Sequence, residues 1–269
     1  MVAARPWHGN DALRNVRSSG VAALQSRLPA GRGDRADLPR AGSLTPRTQD
    51  HGGRMITCQM IHKTYAAGHG ERKVLRGLDF AISRGEHVGF LGRNGAGKTT
   101  LIKLLGGVEF PTAGTIRRRM TVSWPLGFGG GFQGSLTGYD NARFIARIYG
   151  MSYRDIADFV EDFTELGRQL RAPVKTYSQG MRARLAFALS MAIEFDCYLV
   201  DEVILVGDHR FHEKCRLELF GKRSDRALIL ASHNAALIRE HCTRAMVLHD
   251  GRGTMHDDID LALRHYEAL

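Results

Sequence analysis

The sequence predicts an α/β fold in which a mostly parallel sheet is covered by helices. Three observations support this prediction. Short apolar runs typical of strands alternate with helical segments along the second half of the chain. A glycine-rich turn at residues 92–99 joins one of these strands to a helix. A helical block between about residues 130 and 190 interrupts the alternation, and we interpret it as a helical subdomain inserted into the α/β core.

The predicted elements follow one another from residue 60 onward. Three strands, expected to include an antiparallel region near the N-terminus, precede the turn: Met60–Tyr65, Val74–Ile82 and Glu86–Leu91. Four helices come next, the third with Ser152 as its N-cap: Lys98–Gly106, Thr137–Tyr149, Ser152–Leu166 and Ser178–Ile193. The remaining segments alternate between strand and helix: Cys197–Val200, Phe211–Lys222, Ala227–Ala231, Asn234–His241, Ala245–Leu248 and a closing helix to Leu269.

The first 54 residues differ from the rest and are predicted to be a disordered basic extension. They contain nine Arg, no Lys and four Asp, which contributes +5 of the net charge of +10. Their Arg-, Gly-, Pro- and Ala-rich composition shows little apolar periodicity. They lack the apolar core of a secretory signal, and an organellar transit peptide would avoid the four Asp. Our hypothesis is that Met55 is the true start and that residues 55–269 form the folded domain; peptides from residues 1–54 in the native protein would disprove it.

Composition limits the function classes that need to be considered. With 43% apolar and 25% charged residues, the chain resembles a globular protein, and it has no run of about 18 apolar residues that could cross a bilayer. The +5 of residues 55–269 is too dilute to predict a nucleic-acid partner. The four Cys show no zinc-type spacing, which predicts buried thiols in a reducing compartment.

The glycine-rich turn matches G-x-x-x-x-G-K-[ST], the phosphate-binding P-loop, and defines a P-loop NTPase (RecA-like) core. Glycines allow backbone N–H groups to point inward at the positive end of a helix. Lys98 is expected to reach the β- and γ-phosphates of ATP, and the Thr99 hydroxyl to ligate Mg²⁺. The predicted nucleotide-binding residues of this segment are Gly92, Arg93, Asn94, Gly95, Ala96, Gly97, Lys98, Thr99 and Thr100.

Two acidic residues about 100 positions downstream complete the predicted chemistry. Asp201 ends an apolar strand, where its carboxylate can hold Mg²⁺ directly or through water. Glu202 follows it and can polarise the attacking water. An Asp-Glu pair at the end of a strand is weak evidence alone but strong evidence after a P-loop.

A third motif resembles one family. Tyr177–Arg182, at the start of a predicted helix, is similar to the signature of ABC (ATP-binding cassette) ATPases in a variant spelling, S-x-G-M. The resemblance implies that Ser178, Gln179 and Gly180 complete the ATP site of a second copy of the chain. A simple serine N-cap would be the preferred interpretation if this tetrad stood alone.

The family resemblance also implies roles outside these motifs. Tyr65, about 27 residues before the P-loop, matches the aromatic residue that stacks on adenine; a core aromatic is the alternative. His233 matches the switch histidine that contacts the γ-phosphate, and Asp208 resembles a loop that crosses the dimer interface. The glutamine that senses Mg²⁺ and faces the permease is missing at its usual spacing, where Phe128 stands; Gln133 is too close to the following helix to take that role.

Within the family, this sequence resembles the ATPases that export capsular polysaccharide. The features that carry this resemblance are the glycine-dense Trp124–Gly138, the Gln179–Arg182 tetrad, Asp201-Glu202 followed by Gly207-Asp208 and Phe211, and the ending Asp250-Gly251 with Ala262, Leu263 and Tyr266. It implies a homodimer on the cytoplasmic face of the bacterial inner membrane, with a separate permease and with the glycan handled by the complex. O-antigen or teichoic-acid export is the alternative, followed by a soluble ABC ATPase acting on nucleic acid, a P-loop kinase and a degenerate cassette.

Overall fold

The computed structural model describes residues 55–68, 70–126, 133–201 and 209–269. The N-terminal part of this range forms a small antiparallel sheet in the order β2–β1–β4. Its strands are β1 (Met55–Ala67), β2 (Gly70–Ser83) and β4 (Ala113–Arg118). β1 and β2 form a long hairpin in which Tyr65 pairs with Arg72. The expected antiparallel region near the N-terminus is thus confirmed.

The second sheet is mostly parallel, as predicted, and has the order β5–β6–β7–β3–β8–β9. Its strands are β3 (His87–Leu91), β5 (Val122–Leu126), β6 (Cys197–Asp201), β7 (Ala227–Ser232), β8 (Arg244–His249) and β9 (Arg252–His256). Only the β8–β9 pair among these is antiparallel. The central strands β6 and β7 are buried almost along their whole length, because helices cover both faces of a parallel sheet.

Helices surround this sheet and also form the block predicted as an insertion. The core helices are α1 (Lys98–Leu105), α5 (His209–Arg216), α6 (Ala235–His241) and α7 (Ile259–Glu267). The inserted block contains α2 (Gly138–Tyr149), α3 (Tyr153–Thr164) and α4 (Gln179–Met191). α2 begins with a capping box between Thr137 and Asp140, and Ser152 caps α3 as the sequence predicted.

The prediction missed three strands and one change of helix type. β5 contains Pro125, which argues against a strand, but a proline is tolerated because β5 lies at the sheet edge. β4 is mostly exposed and arginine-rich and so lacks an apolar pattern. β9 was missed because its residues were assigned to the predicted closing helix. The helix predicted at Phe211–Lys222 is instead α5 followed by a π-helical turn over Leu217–Gly221.

The four cysteines are buried free thiols, as expected. Burial raises the pKa of Cys58, Cys215 and Cys242 to about 12, so these thiols stay protonated and unreactive at neutral pH. Within the described ranges, no group of His, Cys, Asp and Glu is arranged to hold a metal ion. In the same ranges, each helix is too short or too polar to cross a bilayer.

Candidate functional site

The P-loop lies between the end of β3 and the start of α1, and its glycines are required by geometry. Gly97 caps the helix with φ 108°, a left-handed conformation that side chains rarely adopt, and a Cβ there would lie 2.8 Å from Leu75 Cδ2. A Cβ at Gly92 would lie 2.7 Å from the carbonyl oxygen of Leu248. The turn is closed by the Ala96 amide, which donates to the carbonyl of Arg93 at 3.1 Å. The backbone can therefore wrap tightly around an anion at the start of α1.

Lys98 is buried, although lysine is rarely found inside proteins. Its Nζ atom donates to the carbonyl oxygens of Gly92 at 2.6 Å and Arg93 at 3.3 Å. Desolvation lowers the pKa of Lys98, and the charge of Asp201 opposes that effect. The ammonium group is thus held in the loop by backbone oxygens and within the field of the Asp201 carboxylate. Negatively charged phosphates would offset the loss of hydration of the Lys98 ammonium group.

A cleft of about 640 Å³ opens between the P-loop and the β1–β2 hairpin. It brings together seven of the predicted nucleotide-binding residues: Tyr65, Asn94, Gly95, Gly97, Lys98, Thr99 and Thr100. The Tyr65 hydroxyl donates to Glu109, and burial together with this bond raises the Tyr65 pKa. The Lys63 Nζ atom lies over the Tyr65 ring, 4.8 Å from its centroid. The aromatic ring is therefore fixed at the wall of the phosphate cleft.

The residues predicted to hold Mg²⁺ meet at one edge of the sheet. Asp201 ends β6, where it pairs with Ala231 of β7, and Leu91 of β3 pairs with Ser232 of the same strand. Parallel strands end at a common edge, so the Asp201 carboxylate and the P-loop that follows Leu91 lie there together. Thr99 supplies a hydroxyl in the first turn of α1, which packs on β6. A hydroxyl and a carboxylate are hard oxygen donors, so this set fits Mg²⁺.

His233 directly follows β7 at the same sheet edge. A second cavity, of about 370 Å³, is lined by Arg93, Asn94, His233 and Tyr266. Asn234 caps α6 by accepting from the Ala236 and Leu237 amides, which fixes the backbone beside the histidine. The structure thus places His233 in one cavity with Arg93 and Asn94 of the P-loop.

Ser178 occupies a different part of the molecule. It is the exposed N-cap of α4, and its Oγ atom accepts from the Met181 amide at 3.2 Å. Gln179 is also exposed, and a Cβ added to Gly180 would meet no atom within 4 Å. Neither of the two cavities described above is lined by these three residues. The chain alone does not bring this segment to its own phosphate cradle.

Several predicted residues lie outside the described ranges or have other contacts. Glu202, Asp208 and Phe128 lie outside the described residues. Gln133 binds the next helix through its backbone, since its amide donates to Asn141 Oδ1 at 3.1 Å and its carbonyl accepts from Asn141 Nδ2. It lines neither cavity.

The cleft also contains residues that the sequence analysis did not single out. Ala66, Ala67, Arg72 and Val74 belong to the β1–β2 hairpin, and Tyr266 of α7 lines the second cavity. Arg72 could have been found by extending the hairpin from Tyr65, because its cross-strand partner must lie beside it. No local signal marks Tyr266, which depends on how α7 packs against β8 and β9.

The fold and this phosphate site define the chain as a P-loop nucleotide-binding protein. The family model described as "ABC transporter" matches residues 75–204. The chain is 54% identical over 215 residues to the capsule polysaccharide export ATP-binding protein CtrD of Neisseria meningitidis, covering 80% of this chain and 100% of the relative. It is 53% identical to the ATP-binding protein BexA of Haemophilus influenzae over 79% of this chain and 98% of the relative. The chain therefore belongs to the ABC transporter ATP-binding family, and it is an ATPase.

Solved structures agree with this assignment at the level of the fold. A dimer of the ATP-binding cassette MJ0796 with ADP and Pi superposes with a TM-score of 0.64 at 21% identity, covering 75% of this chain and 97% of that one. An ATP-binding subunit of an ABC transporter gives a TM-score of 0.66 at 24% identity, covering 78% of this chain and 93% of that one. The α/β cassette fold is thereby confirmed.

Proposed function

We propose that this chain hydrolyses ATP as the motor subunit of an exporter of capsular polysaccharide. The observation that carries the export role is the 54% identity to CtrD over the whole of that relative. The polysialic acid transport ATP-binding protein KpsT of Escherichia coli is 41% identical over 99% of its length. Relatives named for teichoic-acid and O-antigen export are 34% and 35% identical. Capsular polysaccharide is therefore the preferred cargo, handled by the whole exporter.

The exposed position of Ser178 supports a homodimer as the working form. In this proposal, one protomer contributes Lys98, Thr99, Asp201, Glu202 and His233 to each ATP, and its partner contributes the segment from Ser178 to Gly180. Ser178 begins α4, so the N-terminal amides of that helix can face the γ-phosphate of nucleotide bound by the other copy. Exposure of this segment in the single chain supports an arrangement between two copies.

Each residue of the composite site has a separable chemical task. The P-loop amides and Lys98 bind the phosphate oxygens, while Tyr65 supports the base. Thr99 and Asp201 would hold Mg²⁺, which screens the negative charge of the phosphates when bound. Glu202 orients a water molecule and accepts its proton, and His233 donates a hydrogen bond to the γ-phosphate oxygens.

The permease partner is proposed to dock on the helical block. Phe144 and Ile148 are 51% and 57% exposed and lie one turn apart on α2, so they form a small apolar strip facing solvent. A strip of this kind suits a short amphipathic helix from a membrane subunit at the cytoplasmic surface of the inner membrane. Movement of the helical block on ATP-driven dimer closure would then be passed to the permease.

The dimer is tested with Glu202→Gln, which keeps ATP bound but removes the base. Size-exclusion chromatography with saturating Mg·ATP should show a dimer, whereas the same variant with ADP should remain monomeric. A variant that stays monomeric with Mg·ATP would contradict the composite site.

The cargo is tested separately by complementation. Expression of the chain in a Neisseria meningitidis strain that lacks CtrD should restore surface polysaccharide, and the Lys98→Ala variant should not. If the chain hydrolyses ATP but restores no surface polysaccharide, the proposed ATP site would stand and the proposed cargo would be contradicted.

A further inference from the structure

Arg72 lies in the nucleotide cleft beside the predicted base-stacking residue. It is on β2, directly opposite Tyr65 of β1, and both residues line the cleft. Directly opposed residues on an antiparallel pair project from the same face, with Cβ atoms about 5 Å apart. The hairpin therefore presents an aromatic ring and a guanidinium group side by side to the same bound molecule.

The guanidinium of Arg72 extends to the phosphate loop. Its Nη2 atom lies 3.9 Å from the position that a Cβ of Gly95 would occupy. Gly95 is exposed and has φ 85°, so this glycine leaves the loop surface open to a group that approaches from the hairpin. A phosphate chain cradled by the loop would lie within reach of the arginine.

The charge of Arg72 is not used elsewhere in the described part of the chain. Among the residues 55–68, 70–126, 133–201 and 209–269, its side chain makes no hydrogen bond or ion pair. The neighbouring cations Lys63 and Lys103 differ, because both are paired with Glu109 at 3.1 and 3.5 Å. A guanidinium without a carboxylate, placed at an anion-binding loop, is suited to bind phosphate oxygens.

We propose that Arg72 is a second phosphate-binding cation of the ATP site, acting from the hairpin side. Lys98 holds the phosphates from within the loop, and Arg72 holds them from the opposite wall of the cleft. The hairpin would then bind the nucleotide at two points, with Tyr65 on the base and Arg72 on the phosphate chain. This inference rests on the proposed ATP site. In it, the Arg72 guanidinium increases the affinity for nucleotide by an amount that depends on the number of phosphates.

The test compares Arg72→Ala with Lys73→Ala, which removes the same charge from the next residue on the same strand. Lys73 is exposed and lies outside the residues that line the cleft. Binding of fluorescent ATP and ADP analogues should be measured for both variants and for Arg72→Lys. We expect Arg72→Ala to weaken ATP binding about tenfold and ADP binding less, because the lost contact is a charge-assisted hydrogen bond. Arg72→Lys should recover part of the affinity, and Lys73→Ala should change it less than about twofold.

Steady-state kinetics give an independent measurement. Arg72→Ala should raise KM for ATP with little change in kcat, because the contact is present in both the ground state and the transition state. Equal losses for ATP and ADP would place Arg72 on a part that the two nucleotides share and overturn the predicted dependence on the number of phosphates. An effect no larger than that of Lys73→Ala would overturn the proposal as a whole. Wild-type protein that binds no ATP would refute the ATP site itself, whereas ATP binding that is lost in Lys98→Ala but kept in Arg72→Ala would refute only the role of Arg72.

Discussion

The two segments proposed to bind phosphate, the P-loop and the start of α4, are both glycine-containing helix starts, yet their surroundings in the fold differ. The P-loop is partly buried, its Gly92 and Gly97 lie against core atoms, and its lysine is fixed by backbone oxygens. The tip of α4 is exposed, and its glycine would accept a side chain without contact. In the single chain, Ser178 serves as a helix cap.

This difference separates a cleft that one chain forms alone from a surface that is proposed to act on a second copy. Positive φ and close packing at Gly97 show that residue choice in the P-loop is limited by the protomer itself. No such limit acts on Gly180, so its identity is not explained within one chain. Substitutions in the P-loop and at the start of α4 should therefore separate effects on the stability of one protomer from effects on the ATPase activity of the proposed dimer.

The largest effect is expected for Lys98→Ala. Loss of the ammonium group removes a preorganised charge at the phosphates and should lower ATPase activity about 100-fold or more. Lys103→Ala at the other end of α1, where Lys103 pairs with Glu109 at 3.5 Å, is the matched control and should retain activity. A comparable loss of ATPase activity in the two variants would mean that the substitutions disturb the folding of α1 and not phosphate binding.

The glycine pair is expected to give opposite changes in stability. Gly97→Ala should lower the free energy of unfolding by about 2 kcal/mol or more, because a left-handed residue with a Cβ is strained and meets Leu75. Gly180→Ala lies in the first turn of α4 and should leave stability unchanged or raise it by up to about 1 kcal/mol. Chemical denaturation measures both. We expect the stable Gly180→Ala protein to lose ATPase activity nonetheless, and full activity would argue against close approach by a partner.

The smallest loss of ATPase activity is expected for the serine caps, which compare a serine proposed to face nucleotide with one that only caps a helix. Ser178→Ala and Ser152→Ala each remove an N-cap that accepts from the amide three residues on, at 3.2 and 3.4 Å. Each should cost about 1 kcal/mol of unfolding free energy. Only Ser178→Ala should also lower ATPase activity, by about tenfold, because only that serine is proposed to face nucleotide in the other copy. Equal ATPase activity in the two variants would mean that Ser178 only caps α4 and does not contact nucleotide.

Much of the site could be predicted because its residues are contiguous. The eight P-loop positions from Gly92 to Thr99 fold as one local turn, so their spacing alone carries the geometry. The sequence also contains a local signal for the β8–β9 hairpin. Asp250 and Gly251 form its two-residue loop, with φ 47° and 75°. Asp-Gly directly after the apolar strand β8 predicts such a hairpin better than a closing helix.

Sequence alone determined the chemistry of this protein: a phosphate cradle, the Asp201 carboxylate at a strand end, and the serine-led start of α4. These features depend on short-range spacing and on backbone conformations that few residues adopt. The tertiary structure alone decided that Tyr266, far along the chain, shares a cavity with the P-loop and His233, since this depends on sheet order and on the packing of α7 against β8 and β9. Sheet order follows from the packing of the whole core, and no local segment encodes it.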